Sequence, residues 1–412
     1  MRLSGLLAIG FAFGCSSGSK DPSAGPNSGG PDDTGSTDPA ETDEALLRAA
    51  IDGVADAAET LKVIAGRGGL PVEADPGSFL FACLCGPGDW RVAGDFDDWQ
   101  GQAMARSGEL SWIELSIPEA FESAYKFTDG DGWAADPYAR RYAYDDYGEK
   151  SLVRSLAPHL ERAFVAASNG LAGRQLRIFV PQDGFFTHMV VAHDGQNLFD
   201  PAAAHGGWKL DAAARDRALL IVGVDNTPAR IDEYTPFEDV LDGEVRGGSA
   251  DAYADMIREV RMSMEDRYGM ADRTALLGSS LGGLVSVAIA DLQPDEWDAA
   301  LSMSGTVGWG SIGQNGPTIL DTYAAAGHRS TALYLDSGGG GSCVDSDGDG
   351  LQDDAADGAD SYCENRQFAD QLAASGYAWA VDLWHWHEPD APHHEAAWAA
   401  RVYRPLDAFM GL

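Results

Sequence analysis

Positive charge is what this chain has least of. Lys and Arg number 28 against 65 Asp and Glu, a net charge of −37 over 412 residues. A surface of that sign repels phosphate backbones, so nucleic acid is not an expected partner. Long apolar runs are missing as well. No stretch reaches the ~18–20 residues that cross a bilayer, which argues against a membrane-spanning helical protein. Cysteine is sparse, at five residues. The hydrophobic share of 44% is ordinary for a chain with a real core. At ~100–200 residues per domain, the length points to two or three domains.

The chain begins with the marks of export. Arg2 precedes an apolar stretch over 3–14, and Cys15 follows Gly14 directly. A positive start, a short hydrophobic run and small residues near its end predict a signal peptide over 1–14. The adjoining Cys15 predicts lipidation, although Ala12 stands three before it, where such signals usually carry Leu. Residues 15–43 are rich in Ser, Gly, Pro, Asp and Thr. They cannot bury enough surface to offset ordering entropy, and are expected to form a tether. The expected location is therefore that of an exported bacterial lipoprotein, in the outer membrane, periplasm or cell surface, touching the membrane only through its anchor. The four other cysteines agree with export. Cys343 and Cys363 bracket one acidic loop and are expected to pair. Cys83 and Cys85 point the same way along one strand-like run, and whether they bond stays open.

Two rhythms follow the tether. Residues 44–65 carry helical periodicity, ended by Gly66, Gly68 and Gly69. Short strand-like runs at 79–84, 90–94, 111–115 and 124–127 are separated by turn residues, which reads as a small β-sandwich within 44–152. From about 153 to 412, strand-like runs at 175–180, 189–192, 218–224, 275–278, 299–303, 331–335 and 379–383 alternate with helical segments such as 250–268 and 284–291. That alternation predicts an α/β domain with a mostly parallel sheet covered by helices on both faces.

The chemistry centres on Gly278-Ser279-Ser280-Leu281-Gly282. The G-x-S-x-G pattern is weak alone, but here a buried strand precedes it and a helix follows. A serine on such a sharp turn stands above the sheet, and the glycines tolerate the crowding. Ser280 is the expected nucleophile. It needs a downstream His as base and an acid between the two in chain order. The C-terminal stretch offers His385, His387, His393 and His394, all placed after a strand ending near Leu383. The oxyanion needs two backbone N–H donors, expected from Leu281 after the nucleophile and from Gln196 in the turn after the 189–192 strand, where Gly195 permits close approach.

Two resemblances add to this reading. Val92-Ala93-Gly94-Asp95-Phe96-Asp97-Asp98-Trp99, Tyr125-Lys126-Phe127, Trp133 and Asp136-Pro137 resemble, over about 80 residues, the immunoglobulin-like module of glycogen-binding and enterochelin-esterase-like proteins. That resemblance implies either a sugar face at Trp99 or Trp133, or Trp residues that are core and a module that only shapes the neighbouring site. Farther on, His193-Asp194-Gly195-Gln196-Asn197-Leu198-Phe199-Asp200, Arg230 with Glu233-Tyr234-Thr235-Pro236, the Ser280 motif, and His393-His394-Glu395-Ala396-Ala397-Trp398 occur in the order seen in the putative-esterase family of α/β hydrolases. That family includes enterochelin, feruloyl and related carbohydrate-ester esterases. The resemblance runs from Arg174 to the C-terminus. It implies an ester substrate of carbohydrate or siderophore-like type. The family's base commonly stands five residues before a Trp, which selects His393, with His394 the alternative. Its acid lies on the loop after the 331–335 strand. Here that loop is enlarged over 338–364, and Asp360, nearest the next helix, is the expected acid, with Asp357 and Asp345 as alternatives.

The enlarged loop has chemistry of its own. Asp345, Asp347, Asp349 and Asp353 occupy positions 1, 3, 5 and 9 of a calcium-type loop, with Gly350 at 6. This spacing wraps a chain around one Ca²⁺, although the usual position-12 Glu is replaced by Ala356 beside Asp357. A structural Ca²⁺ is expected, and no cofactor for catalysis. The whole reads as an exported serine esterase. Its competitors are a non-catalytic surface glycan-binding lipoprotein and an acyltransferase on the same fold.

Overall fold

The computed structural model describes residues 41–354 and 360–412. The expected signal peptide, Cys15, most of the tether and Asp357 lie outside the described residues. From Thr42 onward the chain is one compact unit.

The N-terminal periodicity yields two helices where one was expected. Asp43–Ile51 starts on Thr42, whose side chain accepts from the Ala45 N–H, and Ala57–Gly66 starts on Asp56, which accepts from the Glu59 N–H. Between them Gly53 takes φ +71°, which ends the first helix. Their buried Leu47, Ala50, Leu61 and Ile64 pack on Leu80, Ala82 and Leu110 of a four-stranded antiparallel sheet. Strand Ser78–Cys83 shows why this sheet needs cover on both sides. Leu80 and Ala82 face the helices, while Phe79, Phe81 and Cys83 face Val92, Tyr125 and Phe127 of a second layer.

That second layer is not a sheet of its own. Arg91–Gly94, Ala124–Thr128, Gly148–Leu152 and Arg141–Asp145 continue through His159–Val165 and Arg174–Val180 into the α/β sheet. His159–Val165 makes the join, pairing antiparallel with Arg141–Asp145 on one side and Arg174–Val180 on the other. The expected division at 152/153 thus falls inside one continuous sheet. Sharing the sheet removes an exposed edge from each half.

Beyond the join, Leu219–Val224, His188–His193, Arg273–Ser279, Ala299–Met303, Ala332–Ser337 and Leu383–His387 run parallel, in that spatial order. Their side chains alternate between two cores. Met189 and Val191 meet helices Ala250–Tyr268, Leu281–Leu292, Ile319–Ala326 and Tyr362–Ala374. Val190 and Ala192 meet Leu210–Ala214, Glu395–Arg401 and Tyr403–Met410. Helices on both faces explain why these strands are apolar on both sides.

The last strand corrects the sequence reading. It was expected at 379–383, but it is Leu383–His387, and 379–382 belong to the preceding turn. The period-two alternation of Leu383-Trp384-His385-Trp386-His387 is the strand signal itself. His385 and His387 therefore lie in the sheet rather than on the loop after it. Both expected and open cysteine pairs are bonded, Cys343 to Cys363 and Cys83 to Cys85.

Candidate active site

Ser280 joins strand Arg273–Ser279 to helix Leu281–Leu292 with φ +55° and ψ −126°. A non-glycine residue held there costs on the order of 1–3 kcal/mol, which the surroundings must supply. They do so by close backbone approach. A Cβ on Gly278 would lie 2.9 Å from the Gly282 Cα and closer still to its carbonyl. A Cβ on Gly283 would meet Ser302 Oγ at 2.6 Å. The Ser280 N–H donates to the Met303 carbonyl at 3.0 Å, and its own carbonyl accepts from the Thr306 N–H at 3.2 Å, so the next strand pins the turn. Ser280 Oγ lies 3.4 Å from Thr306 Oγ1. Leu281 is the first helical residue, so its N–H has no intrahelical acceptor and sits at the positive end of the helix dipole.

The Gln196 turn lies beside this elbow. A Cβ on Gly282 would sit 3.2 Å from Asp194 Oδ2 and 3.4 Å from the His193 Cβ. Asp194 takes φ +59°, and Gly195 has room for no side chain, since a Cβ there would meet Asp225 Oδ1 at 2.7 Å. Gln196 Oε1 accepts from the Asn226 N–H at 3.1 Å, which fixes the turn. Arg230, part of the second sequence block, is engaged here. Its guanidinium grips both Asp194 oxygens at 2.7 and 2.8 Å. Burial alone would raise the Asp194 carboxyl, but Arg230 outweighs it and holds the group below its usual value. His193 is buried against Tyr253 OH at 3.0 Å, and burial pushes its imidazole down to about 3.

His393 and Asp360 meet in space. His393 Nδ1 donates to Asp360 Oδ1 at 2.5 Å, and since a carboxylate only accepts, the proton on this nitrogen is assigned by its partner. That leaves Nε2 as the basic nitrogen, on a ring with 34% of its side chain exposed and an edge against Trp398 at 5.1 Å. Asp360 is buried on the loop after strand Ala332–Ser337, just before helix Tyr362–Ala374. Of the alternatives, Asp345 is exposed in the acidic loop. His394 caps helix Glu395–Arg401, accepting from the Ala397 N–H, and stacks on His205 at 4.5 Å. Among the described residues Ser280 Oγ bonds Thr306 and not His393. Catalytic hydrogen bonds of free enzymes often close only around substrate.

Three residues of this region escaped the sequence reading. Ser304, Asp336 and Arg401 form a buried polar cluster behind Asp360. Arg401 carried a faint signal: a cation three residues after Trp398 shares its helical face, and that face is apolar.

His385 and His387 lie on the strand face turned to Tyr362, His387 stacked on it at 3.9 Å. Burial pushes His385 down to about 4. Trp386 lies under the Arg404 guanidinium, 3.4 Å from its ring centre. Trp99 and Trp133 are not core residues. They meet edge to face at 5.9 Å, with Trp133 54% exposed.

The acidic loop brings together three of its four expected ligands. Asp345, Asp347 and Asp349 place oxygens within 4.8 Å of one another. Asp353 stands apart, accepting from the Ser346 N–H at 2.8 Å and pairing its backbone with Val344. Asp354 instead holds the segment that carries Asp360, accepting from the N–H groups of Asp360, Tyr362 and Cys363.

Known proteins similar to this chain are esterases and serine hydrolases by name. Residues 168–407 match the family model described as "Putative esterase". No curated protein matches the chain. Among solved structures, the IroE-like serine hydrolase of Shewanella oneidensis is 20% identical, covering 61% of this chain and 79% of its own, with a TM-score of 0.46. The enterobactin esterase FES of Shigella flexneri, solved with 2,3-dihydroxy-N-benzoyl-glycine, is 16% identical, with coverage of 82% and 96% and a TM-score of 0.46. The siderophore hydrolase EstA of Aspergillus nidulans is 17% identical, with coverage of 61% and 95% and a TM-score of 0.45.

Proposed function

The chain belongs to the Putative esterase family and is a carboxylic ester hydrolase; we propose that it is an exported, lipid-anchored serine esterase using Ser280, His393 and Asp360. Ser280 Oγ attacks the ester carbonyl while His393 Nε2 takes its proton. The N–H groups of Leu281 and Gln196 hold the oxyanion. His393 then protonates the leaving alcohol, and water resolves the acyl-enzyme by the reverse proton route. Asp360 orients the ring and stabilises the imidazolium. This route needs no cofactor.

The observation that carries the reading is the Asp360–His393 pair at 2.5 Å, which follows the C-terminal ends of parallel strands in the sheet that carries the strained Ser280. The test is fluorophosphonate labelling with Ser280→Ala as control. Labelling and hydrolysis should vanish together in that variant, and retained activity would remove Ser280 from the mechanism. A panel of nitrophenyl, feruloyl, acetyl-xylan and catecholate esters separates carbohydrate-linked from siderophore-like substrates. Trp99 and Trp133 form a separate aromatic face on the N-terminal region, where a glycan would stack.

Two further proposals come from the sequence. Cys15 is lipidated, and two disulfides suit an oxidising compartment. Fatty-acid labelling that survives Cys15→Ser would refute the anchor. The loop of Asp345, Asp347 and Asp349 takes a structural Ca²⁺. Calorimetry on the metal-stripped, oxidised protein tests this, and no heat on adding Ca²⁺ would leave a solvated acidic loop.

A further inference from the structure

Asp360 spends only one oxygen on His393. Its Oδ2 accepts from Ser304 Oγ at 2.7 Å, from the Gly338 N–H at 2.5 Å and from Arg401 Nη2 at 3.4 Å. Ser304 Oγ in turn receives Arg401 Nη2 at 2.7 Å and Trp398 Nε1 at 3.1 Å. A hydroxyl has one proton and two lone pairs. With both lone pairs facing donors, the single Ser304 proton can point only at Asp360. Arg401 Nε and Nη2 also reach Asp336 Oδ1 at 3.2 Å, and that carboxylate accepts from the Ser304 N–H at 3.2 Å and from Tyr334 OH at 3.3 Å. Ser304, Asp336, Asp360 and Arg401 are all buried, none more than 1% exposed. Two buried carboxylates thus share one guanidinium.

We propose that Arg401 and Ser304 are positioning residues for the hydrolysis: they hold Oδ2 of Asp360 and set a countercharge beside it, so that Oδ1 stays on His393 Nδ1 and the ring presents Nε2 to Ser280. The proposal rests on the Ser280–His393–Asp360 reading. Its physical core is charge balance. Without Arg401 the two carboxylates would face each other in a dry site, and one would take a proton. A protonated Asp360 cannot stabilise the imidazolium. The groups facing Asp336 are Arg401 from helix Glu395–Arg401, Asp360 from its loop, Ser304 from the segment after Ala299–Met303, and Tyr334 from its own strand, with Arg404 facing Tyr334 from the last helix. Burial, with Asp360 adding to it and Arg401 opposing, already pushes Asp336 up to about 6.

The experiment compares Ser304→Gly, Arg401→Met, and Arg401→Met combined with Asp336→Asn, in the full chain, with rates normalised to fluorophosphonate-titrated sites. Ser304 has φ +46°, so glycine removes the hydroxyl while relaxing the backbone, and this variant decides the matter if Arg401→Met does not fold. A lost hydrogen bond to a charged group predicts that kcat falls roughly 10- to 100-fold with KM unchanged. In Arg401→Met the acidic limb of the kcat–pH profile should move to higher pH, and removing the second carboxylate with Asp336→Asn should bring it back. A purely structural cluster would lower the melting temperature and leave the normalised kcat and its pH profile at wild-type values, and that result overturns the proposal. If Ser280→Ala or His393→Ala also keeps activity, the triad reading has failed instead.

Discussion

A side-chain carbon on Gly278 would sit 2.9 Å from the Cα of Gly282, so the two ends of the Ser280 turn touch through bare backbone. No flexible side chain stands between them to yield. Gly278→Ala should therefore open the turn, costing about 1–3 kcal/mol or more, and should abolish fluorophosphonate labelling even in the fraction that folds. Gly66→Ala is the control, since a Cβ there meets nothing within 4 Å, and it should stay within about 1 kcal/mol of wild type. Full labelling of Gly278→Ala would mean that the strained turn is not needed to present Ser280.

His393 and His394 are adjacent but do different work. His393→Ala should lower kcat by about three orders of magnitude or more, because it removes the partner of Asp360 and the only proposed base. His394→Ala removes a helix cap and a stacked ring, and should cost about 1 kcal/mol of stability with most activity kept. Steady-state kinetics and thermal melts on both variants check this. Reversed losses would place the base one residue later.

The Cys343–Cys363 bond closes a loop with a separation of 20 residues, and Asp360 lies within it. Replacing both cysteines by serine should destabilise the protein by about 3 kcal/mol and lower kcat, since the segment carrying Asp360, the proposed acid, gains freedom. The same change at Cys83 and Cys85, separated by only two residues, closes almost no loop and should leave kcat alone. Equal effects of the two pairs would dissociate the acidic loop from catalysis.

What the sequence made legible was local. The Ser280 turn shows as a pattern of five residues, the parallel strands as apolar runs, and the Cys343–Cys363 pair as a bracket. The rest was hidden because it depends on residues brought together from afar. Arg401 bonds Asp336 across 65 positions, and neither residue carries a motif. The continuous sheet rests on pairing between His159–Val165 and Arg141–Asp145, which no spacing rule announces. The apolar run at 379–383 draws the expected last strand four residues early, and with it the position of His385 and His387. Asp353 fits the calcium spacing, yet its carboxylate accepts from Ser346 and is not among the three that cluster.

Glu364 offers a pH test that also reports on the metal. It lies in the first turn of helix Tyr362–Ala374, beside Gly308. Burial pushes its carboxyl up to about 8, Asp354, Asp353 and Asp349 add to the shift, and the Gly308 N–H opposes it. Between the ordinary value of 4.5 and about 8 the folded chain keeps a proton that the unfolded chain has lost. Stability from this group is therefore complete below 4.5 and is lost as pH rises through 8. Glu364→Gln keeps the shape without the ionisation. In chelator its melting temperature should match wild type near pH 5 and exceed it by about 2–4 °C near pH 9. A Ca²⁺ bound at the neighbouring aspartates would favour the ionised carboxylate and reverse the logic. Calcium should then flatten the alkaline loss of the wild type and stabilise it more than the variant. Melts of both proteins from pH 5 to 9, with calcium and with chelator, decide the point. Identical pH slopes for the two proteins in chelator would show that Glu364 is not held protonated, and an equal calcium gain in both would uncouple it from the loop.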